Sequence, residues 1–280
     1  MPTAEIGDIK LNYEDSGQGE PILLVPPSWW PAATWKVAVV PALRQSYRTV
    51  IFDCRGTGGS SKPKYGYTVQ QFADDGIALL SHLGISRVHA VGFALGGQIV
   101  QAMAIARPDL VATLTMAAAG PGSKTLSGGS RELSPEAAEE IHEKGFEQYI
   151  KSHINNDGMA FNPIFYRQHR EVADALADAL WSGQSTLEQF RYHEEARLTW
   201  NSLAKASEIK VPTLILCGAD DDVNRRGSTP VGTARRLGEL TPGAEMALVP
   251  NVKHMTFWDG DGALTALRNF LGRHSIETNH

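Results

Sequence analysis

The stretch Val91-Gly92-Phe93-Ala94-Leu95-Gly96-Gly97 is where the residue types and spacing of this chain bear most directly on chemistry. It follows an apolar run, Arg87 to Val91, and opens a helical pattern that continues to Arg107. Its frame is Gly-x-Nuc-x-Gly, a very tight strand-to-helix turn. The central residue of such a turn sits on a strained backbone, and small residues on either side let strand and helix approach closely. The helix N-terminus behind the turn offers free N–H groups to a developing oxyanion. The central residue here is Ala94. A methyl group can neither attack a carbonyl nor give a proton to an activating base.

The surrounding pattern supplies the elements that must position this turn. Two short strands, Ala4 to Ile9 and Lys10 to Tyr13, precede a turn at Ser16-Gly17-Gln18-Gly19. Pro21 to Val25, Arg48 to Phe52, Arg87 to Val91, Val111 to Met116 and Pro212 to Leu216 are short apolar runs bounded by turn residues, as expected of strands buried on both faces of a sheet. A further strand is expected over Ala244 to Val249. Helical periodicity marks Ala32 to Gln45, Val69 to Leu83, Gly96 to Arg107, Thr229 to Leu240 and Gly262 to Leu271. Strands alternating with helices imply βαβ units, a parallel sheet and right-handed crossovers. Between about Gly122 and Ile209 the strand signal vanishes, and Ser134 to His153, Arg167 to Ser182 and Ser185 to Ala204 read as helices. The simplest organisation is one sheet in two parts, residues 1–121 and 210–280, with a helical cap inserted over residues 122–209.

In this order and at these places the motifs resemble those of the α/β-hydrolase superfamily, over nearly the whole chain. The elbow matches at Gly92, Gly96 and Gly97. Arg55-Gly56-Thr57-Gly58-Gly59-Ser60 resembles the arginine-and-glycine turn of that family, Gly218-Ala219-Asp220-Asp221 stands where it keeps its acid, and His254 follows the last strand, where it keeps its base. The resemblance implies a mostly parallel eight-stranded sheet flanked by helices, with Ala94, Asp221 and His254 at the nucleophile, acid and base positions. The neighbours Asp220 and Asp222 remain alternatives for the acid. By position, Ser28 and Leu95 would give the oxyanion N–H groups. Trp29, Trp30 and Phe93 are candidate substrate contacts, because ligands of open α/β sheets bind at the carboxyl ends of the strands. His153, His169 and His193 of the cap read as solvated, with room for one to line the pocket, and Trp181, Tyr192 and Trp200 as packing residues.

The chain departs from the family twice. Ala94 stands where the family has serine, cysteine or aspartate. Pro26-Pro27-Ser28-Trp29-Trp30 stands where His-Gly is usual, and its two prolines remove two backbone donors. Three readings of Ala94 stay open. It replaces a serine in an ester or lactone hydrolase, whose chemistry could extend to an amide or an activated carbon–carbon bond. It belongs to a cofactor-free His–Asp dyad enzyme, a dioxygenase or lyase. Or it marks a ligand-binding member of the fold without turnover.

Composition bounds the remaining classes. A formal net charge of -5, with charged residues at 20%, gives no concentrated basic face for nucleic acid. Arg225-Arg226 and Arg235-Arg236 are short pairs that read as solvated faces. No apolar run approaches the ~20 residues of a membrane span, and Met1 to Glu5 lacks the regions of a signal peptide. Two cysteines, Cys54 and Cys217, read as buried thiols in a reducing cytoplasm. No dinucleotide fingerprint, phosphate loop or metal-ligand spacing is present, so no cofactor is expected. The expected partner is a small apolar or aromatic ester or lactone, with a homodimer possible.

Overall fold

Strand β3 (Glu20–Val25) shows why the sheet must be covered on both sides. Ile22 and Leu24 enter one apolar cluster, while Leu23 and Val25 enter another. Strand β5 (Val88–Phe93) divides in the same way, with Val91 and Phe93 on one side and Val88 and Ala90 on the other. Side chains alternate across a strand, so apolar residues at every position demand two cores.

The structure is a computed structural model and describes residues 1–122, 135–154, 160–183, 185–222 and 229–276. Ser134, the start expected for the first cap helix, and Arg225-Arg226 lie outside the described residues. The remaining strands are β1 (Thr3–Ile6), β2 (Ile9–Ser16), β4 (Tyr47–Phe52), β6 (Val111–Ala117), β7 (Thr213–Gly218) and β8 (Glu245–Val249). The eight form one sheet in the order β1-β2-β4-β3-β5-β6-β7-β8. β2 pairs antiparallel with β1 and β4, and every other neighbouring pair is parallel. The expected mostly parallel eight-stranded sheet is therefore the observed one. Its order reverses at β3, whose neighbours are β4 and β5, and a crevice at such a switch point is where open α/β sheets bind ligands.

Helices α2 (Val69–His82) and α3 (Leu95–Ala106) cover one face through Phe72, Leu79, Ile99 and Met103. Thr68 starts α2 by accepting the Gln71 N–H through its hydroxyl at 3.1 Å, and Gly84, at φ 65°, follows its end. The other face carries a 3-10 turn (Ala32–Lys36) and α1 (Val39–Leu43). One helix over Ala32 to Gln45 was the expectation. The break has a cause: Pro41 has no N–H to give the Val37 carbonyl, which instead accepts the Trp258 indole N–H at 2.7 Å.

Between β6 and β7 the described helices are α4 (Pro135–Ser152), α5 (Pro163–Gln168), α6 (Arg170–Trp181), α7 (Leu187–Ala196) and α8 (Ser202–Lys205). The helix expected over Arg167 to Ser182 is split at His169, whose φ of -131° leaves the helical region. The helix expected over Ser185 to Ala204 is likewise α7 and α8, separated by turns after Ala196. Tyr149, Ile150, Leu176, Leu180 and Phe190 of this segment join the same apolar cluster as Trp29, Trp30 and Phe93. Helices α9 (Pro230–Leu240) and α10 (Gly262–Arg273) follow β7 and β8.

The close approach of β5, α3 and β3 rests on glycine. A Cβ on Gly92 would overlap the Gly96 carbonyl, and one on Gly96 would overlap the Val25 carbonyl of β3. Backbone cannot retreat as a flexible side chain can. Gly96→Ala is accordingly expected to lower unfolding free energy by about 3 kcal/mol or more, or to prevent folding. Urea titration checks this, and a stability within about 0.5 kcal/mol of the parent would contradict it.

Candidate active site

β5 ends at Phe93, and the next residue turns the chain into α3. Ala94 has φ 51° and ψ -113°, a conformation that a residue with a Cβ seldom adopts. Two hydrogen bonds hold it there: its N–H donates to the Ala117 carbonyl at 2.9 Å, and its carbonyl accepts from Gly97 at 3.0 Å. Such strain costs of order 1–3 kcal/mol and persists only where the surroundings over-determine it. The turn places residue 94 at the strands' carboxyl ends and leaves the Leu95 N–H at the first position of α3.

Asp221 lies three residues past the end of β7, and its carboxylate is 1% exposed. The His254 Nδ1–H donates to Asp221 Oδ2 at 2.7 Å. A carboxylate can only accept here, so the shared proton sits on Nδ1, and in the neutral imidazole the lone pair is on Nε2. Asp221 Oδ1 is buried without a partner among the described residues. Of the three consecutive acids, Asp221 is the one that reaches the histidine. The Asp220 N–H instead donates to the Val252 carbonyl at 3.0 Å, and Asp222 is exposed. Asp259 braces the histidine loop, its Oδ2 accepting from the Lys253 N–H at 2.7 Å and from the Asn162 N–H at 2.8 Å. Burial pushes the Asp259 carboxyl above its usual range.

Ala94 and His254 line one cavity of about 520 Å³. Ser28, Trp29, Trp30, Phe93 and Leu95 line it as well, so every sequence-derived contact residue reaches the same space. Its apolar wall is aromatic: Trp30 lies 6.1 Å from Phe93, Phe93 lies 5.4 Å from His254, and Trp29 lies 5.2 Å from Phe190. Gln98, Glu194 and Arg197 add a polar side that the sequence did not single out. Arg197 Nε donates to Glu194 Oε2 at 2.9 Å, so the pair enters the wall largely neutralised. Among the described residues, no group of three or more His, Cys, Asp or Glu could hold a metal ion.

Of the three histidines between β6 and β7 singled out in the sequence, two lie where expected and one does not. His169 is exposed and His153 lines the cavity, but His193 is buried at 1% exposure. Its Nδ1 accepts the Trp29 N–H at 3.0 Å, and its Nε2–H donates to the Arg55 carbonyl at 2.9 Å. Burial pushes its pKa down to about 4. No local signal marks this, because the partners lie 164 and 138 positions away. The Arg55 guanidinium forms a buried two-point pair with Asp75 at 2.7 and 2.6 Å. Asp53 ties the same turn to its surroundings, its carboxylate accepting the N–H groups of Ala32 at 2.7 Å and Gly59 at 2.9 Å. Trp200 donates its indole N–H to Gln101 at 2.8 Å and Tyr192 stacks on Tyr67 at 4.8 Å. Both cysteines are free and buried, and burial drives the Cys217 thiol up to about 12.

Two outcomes follow from this geometry. Ala94→Gly removes the Cβ from a positive-φ position and is expected to raise stability by about 1 kcal/mol in urea unfolding. A net loss would contradict the expected relief of strain. His193 binds no proton in the folded state until about pH 4, whereas the unfolded chain takes one below about 6.5. Stability is therefore lost as pH falls through that window, by up to about 3 kcal/mol from this group. His193→Asn, which does not titrate, should show a shallower decline between pH 7 and 4.5, and equal slopes would contradict the assignment.

Residues 27–261 match the alpha/beta hydrolase fold family. A non-heme haloperoxidase of Rhodococcus erythropolis is 26% identical over 270 residues, covering 91% of this chain and 93% of its own. The enol-lactonase of Burkholderia xenovorans superposes with a TM-score of 0.79 at 22% identity, over 97% of this chain and 100% of that one. A thermophilic esterase of Thermogutta terrifontis superposes with a TM-score of 0.77 at 24% identity, over 97% of each chain. With its sheet order, its strained turn after β5 and a family match over most of its length, the chain belongs to the α/β-hydrolase fold family.

Proposed function

We propose that this chain is a hydrolase of apolar or aromatic carboxylic esters or lactones whose nucleophile position holds alanine, so that it binds substrate without forming an acyl-enzyme. The observation that carries this reading is the 2.7 Å bond between His254 and Asp221 in a chain with no nucleophile for that pair to activate. Fold relatives that include an enol-lactonase and an esterase support the substrate class. In the active form, a serine at position 94 attacks the substrate carbonyl carbon while His254 Nε2 takes the hydroxyl proton. Asp221 stabilises the imidazolium, and the N–H groups of Ser28 and Leu95 hold the oxyanion. Collapse expels the leaving oxygen, which takes the proton from His254. Water then hydrolyses the acyl group, again with His254 as base. We read residues 122–209 as the cap that closes this pocket, with Trp29, Trp30 and Phe93 against the substrate's apolar part.

The intact His254–Asp221 pair also favours a second reading, in which His254 alone deprotonates an acidic aromatic substrate for a cofactor-free oxygenation or lyase reaction. A third reading, saturable ligand binding without turnover, differs from both by being indifferent to the residue at position 94.

Loss of a triad nucleophile costs about 10⁶ in kcat. Ala94→Ser is therefore expected to raise kcat/KM on a panel of aryl esters and lactones by roughly four orders of magnitude or more, and Ala94→Ser with His254→Ala should lose the gain. A folded serine variant with no gain on the panel overturns the hydrolase reading. Turnover of an acidic aromatic compound by the unaltered chain would establish the dyad reading instead.

A further inference from the structure

We propose that His193, on the cap-segment helix α7, is a positioning residue that holds the loop Pro26–Trp30 in the conformation that presents Ser28 to the cavity. What the Ser28 N–H does there rests on the hydrolase reading above; the positioning itself does not.

The loop has little of its own to fix it. Pro26 and Pro27 bring no N–H, and the one backbone bond within it is a long one, from the Trp30 N–H to the Pro27 carbonyl at 3.4 Å. Trp29 nevertheless adopts φ 51°, left-handed backbone that a bulky residue takes only when held. Both of its backbone groups are held by residues between β6 and β7. Its N–H donates to His193 Nδ1 at 3.0 Å, and its carbonyl accepts from the Ser185 hydroxyl at 3.1 Å.

The His193 ring is fixed from its other side. Nε2–H donates to the Arg55 carbonyl at 2.9 Å, which sets the tautomer and leaves Nδ1 as an acceptor. Phe72 and Tyr67 pack on the ring at 5.0 and 5.6 Å. Gly56 leaves it room, since a Cβ there would come within 3.1 Å of Nε2. The Arg55 carbonyl belongs to the turn that the Arg55–Asp75 pair anchors, so the chain of contacts runs from α2 through Arg55 and His193 to Trp29, one residue from Ser28. Without an acceptor at Nδ1, the Trp29 N–H is buried unpaired, and the loop relaxes toward negative φ, carrying Ser28 away from its place.

His193→Asn and His193→Gln separate positioning from packing. Asparagine places an amide oxygen near the Nδ1 position, and glutamine places its amide near Nε2 and leaves Trp29 without an acceptor. In the Ala94→Ser background, His193→Gln is expected to lower kcat by about 10–100-fold with KM within about 2-fold, and His193→Asn to return most of kcat. Equal losses in both variants, or none, overturn the proposal. A second measurement needs no turnover. In the unaltered chain, ¹⁵N spectra should show His193 neutral at pH 7 with Nε2 protonated and Nδ1 bare, and the Trp29 and Ser28 amides protected from hydrogen exchange. That protection should be lost in His193→Gln. The opposite tautomer, or exchange unchanged in His193→Gln, overturns the positioning. Absence of turnover in Ala94→Ser with these signatures intact would overturn the hydrolase reading and leave the positioning standing.

Discussion

The close contact of β5, α3 and β3 is the constraint on which the rest of this molecule depends. A glycine at position 96 is required because the Val25 carbonyl occupies the space of its Cβ, and a glycine at position 92 because the Gly96 carbonyl does the same. With the three segments so close, the chain has no room for a gradual bend after Phe93. It must reverse through one residue, and Ala94 takes the strained φ of 51°. The strain is a consequence of packing, and it is present although no nucleophile profits from it. The same contact brings the loop after β3, with Ser28, beside the start of α3, with Leu95, because β3 and β5 are adjacent in the sheet.

Around that fixed point the remaining groups arrive from loops and depend on long-range bonds. His254 is held by Asp221, and its loop by Asp259. Trp29 is held by His193 and Ser185. Apart from the Lys253–Asp259 bond, which spans six positions, each of these bonds joins residues too far apart in the chain for local conformational preference to set the geometry. A cavity with one rigid floor and several loop-borne walls follows, which suits a fold whose floor is common to many reactions and whose walls select among them.

The parts legible in the sequence were those with a local physical cause. Fully apolar runs such as Pro21 to Val25 announce strands covered on both faces, and the spacing of Gly92, Gly96 and Gly97 announces the tight turn between them. The strand-to-loop order also brought Ser28, Trp29, Trp30, Phe93, Leu95 and His254 to one cavity. Features with a distant cause were not legible. Which of Asp220, Asp221 and Asp222 faces His254 depends on a turn fixed by backbone bonds to β8 and the loop after it. The break in the segment Ala32 to Gln45 depends partly on a tryptophan 221 positions away that takes the Val37 carbonyl. His193 looks like a surface residue on a polar helix and is buried because Trp29 and Arg55 fold against it.

The claim that this is a serine-hydrolase site lacking its serine is tested most directly by intact-mass spectrometry after treatment with an aryl fluorophosphonate. Ala94→Ser should gain one covalent adduct at the introduced serine, formed with loss of fluoride, at a rate that falls by orders of magnitude when His254 is also replaced by alanine. The unaltered chain should gain none. A folded Ala94→Ser protein that stays unlabelled, or that labels equally fast without His254, would contradict the claim that His254 and Asp221 are set to activate position 94.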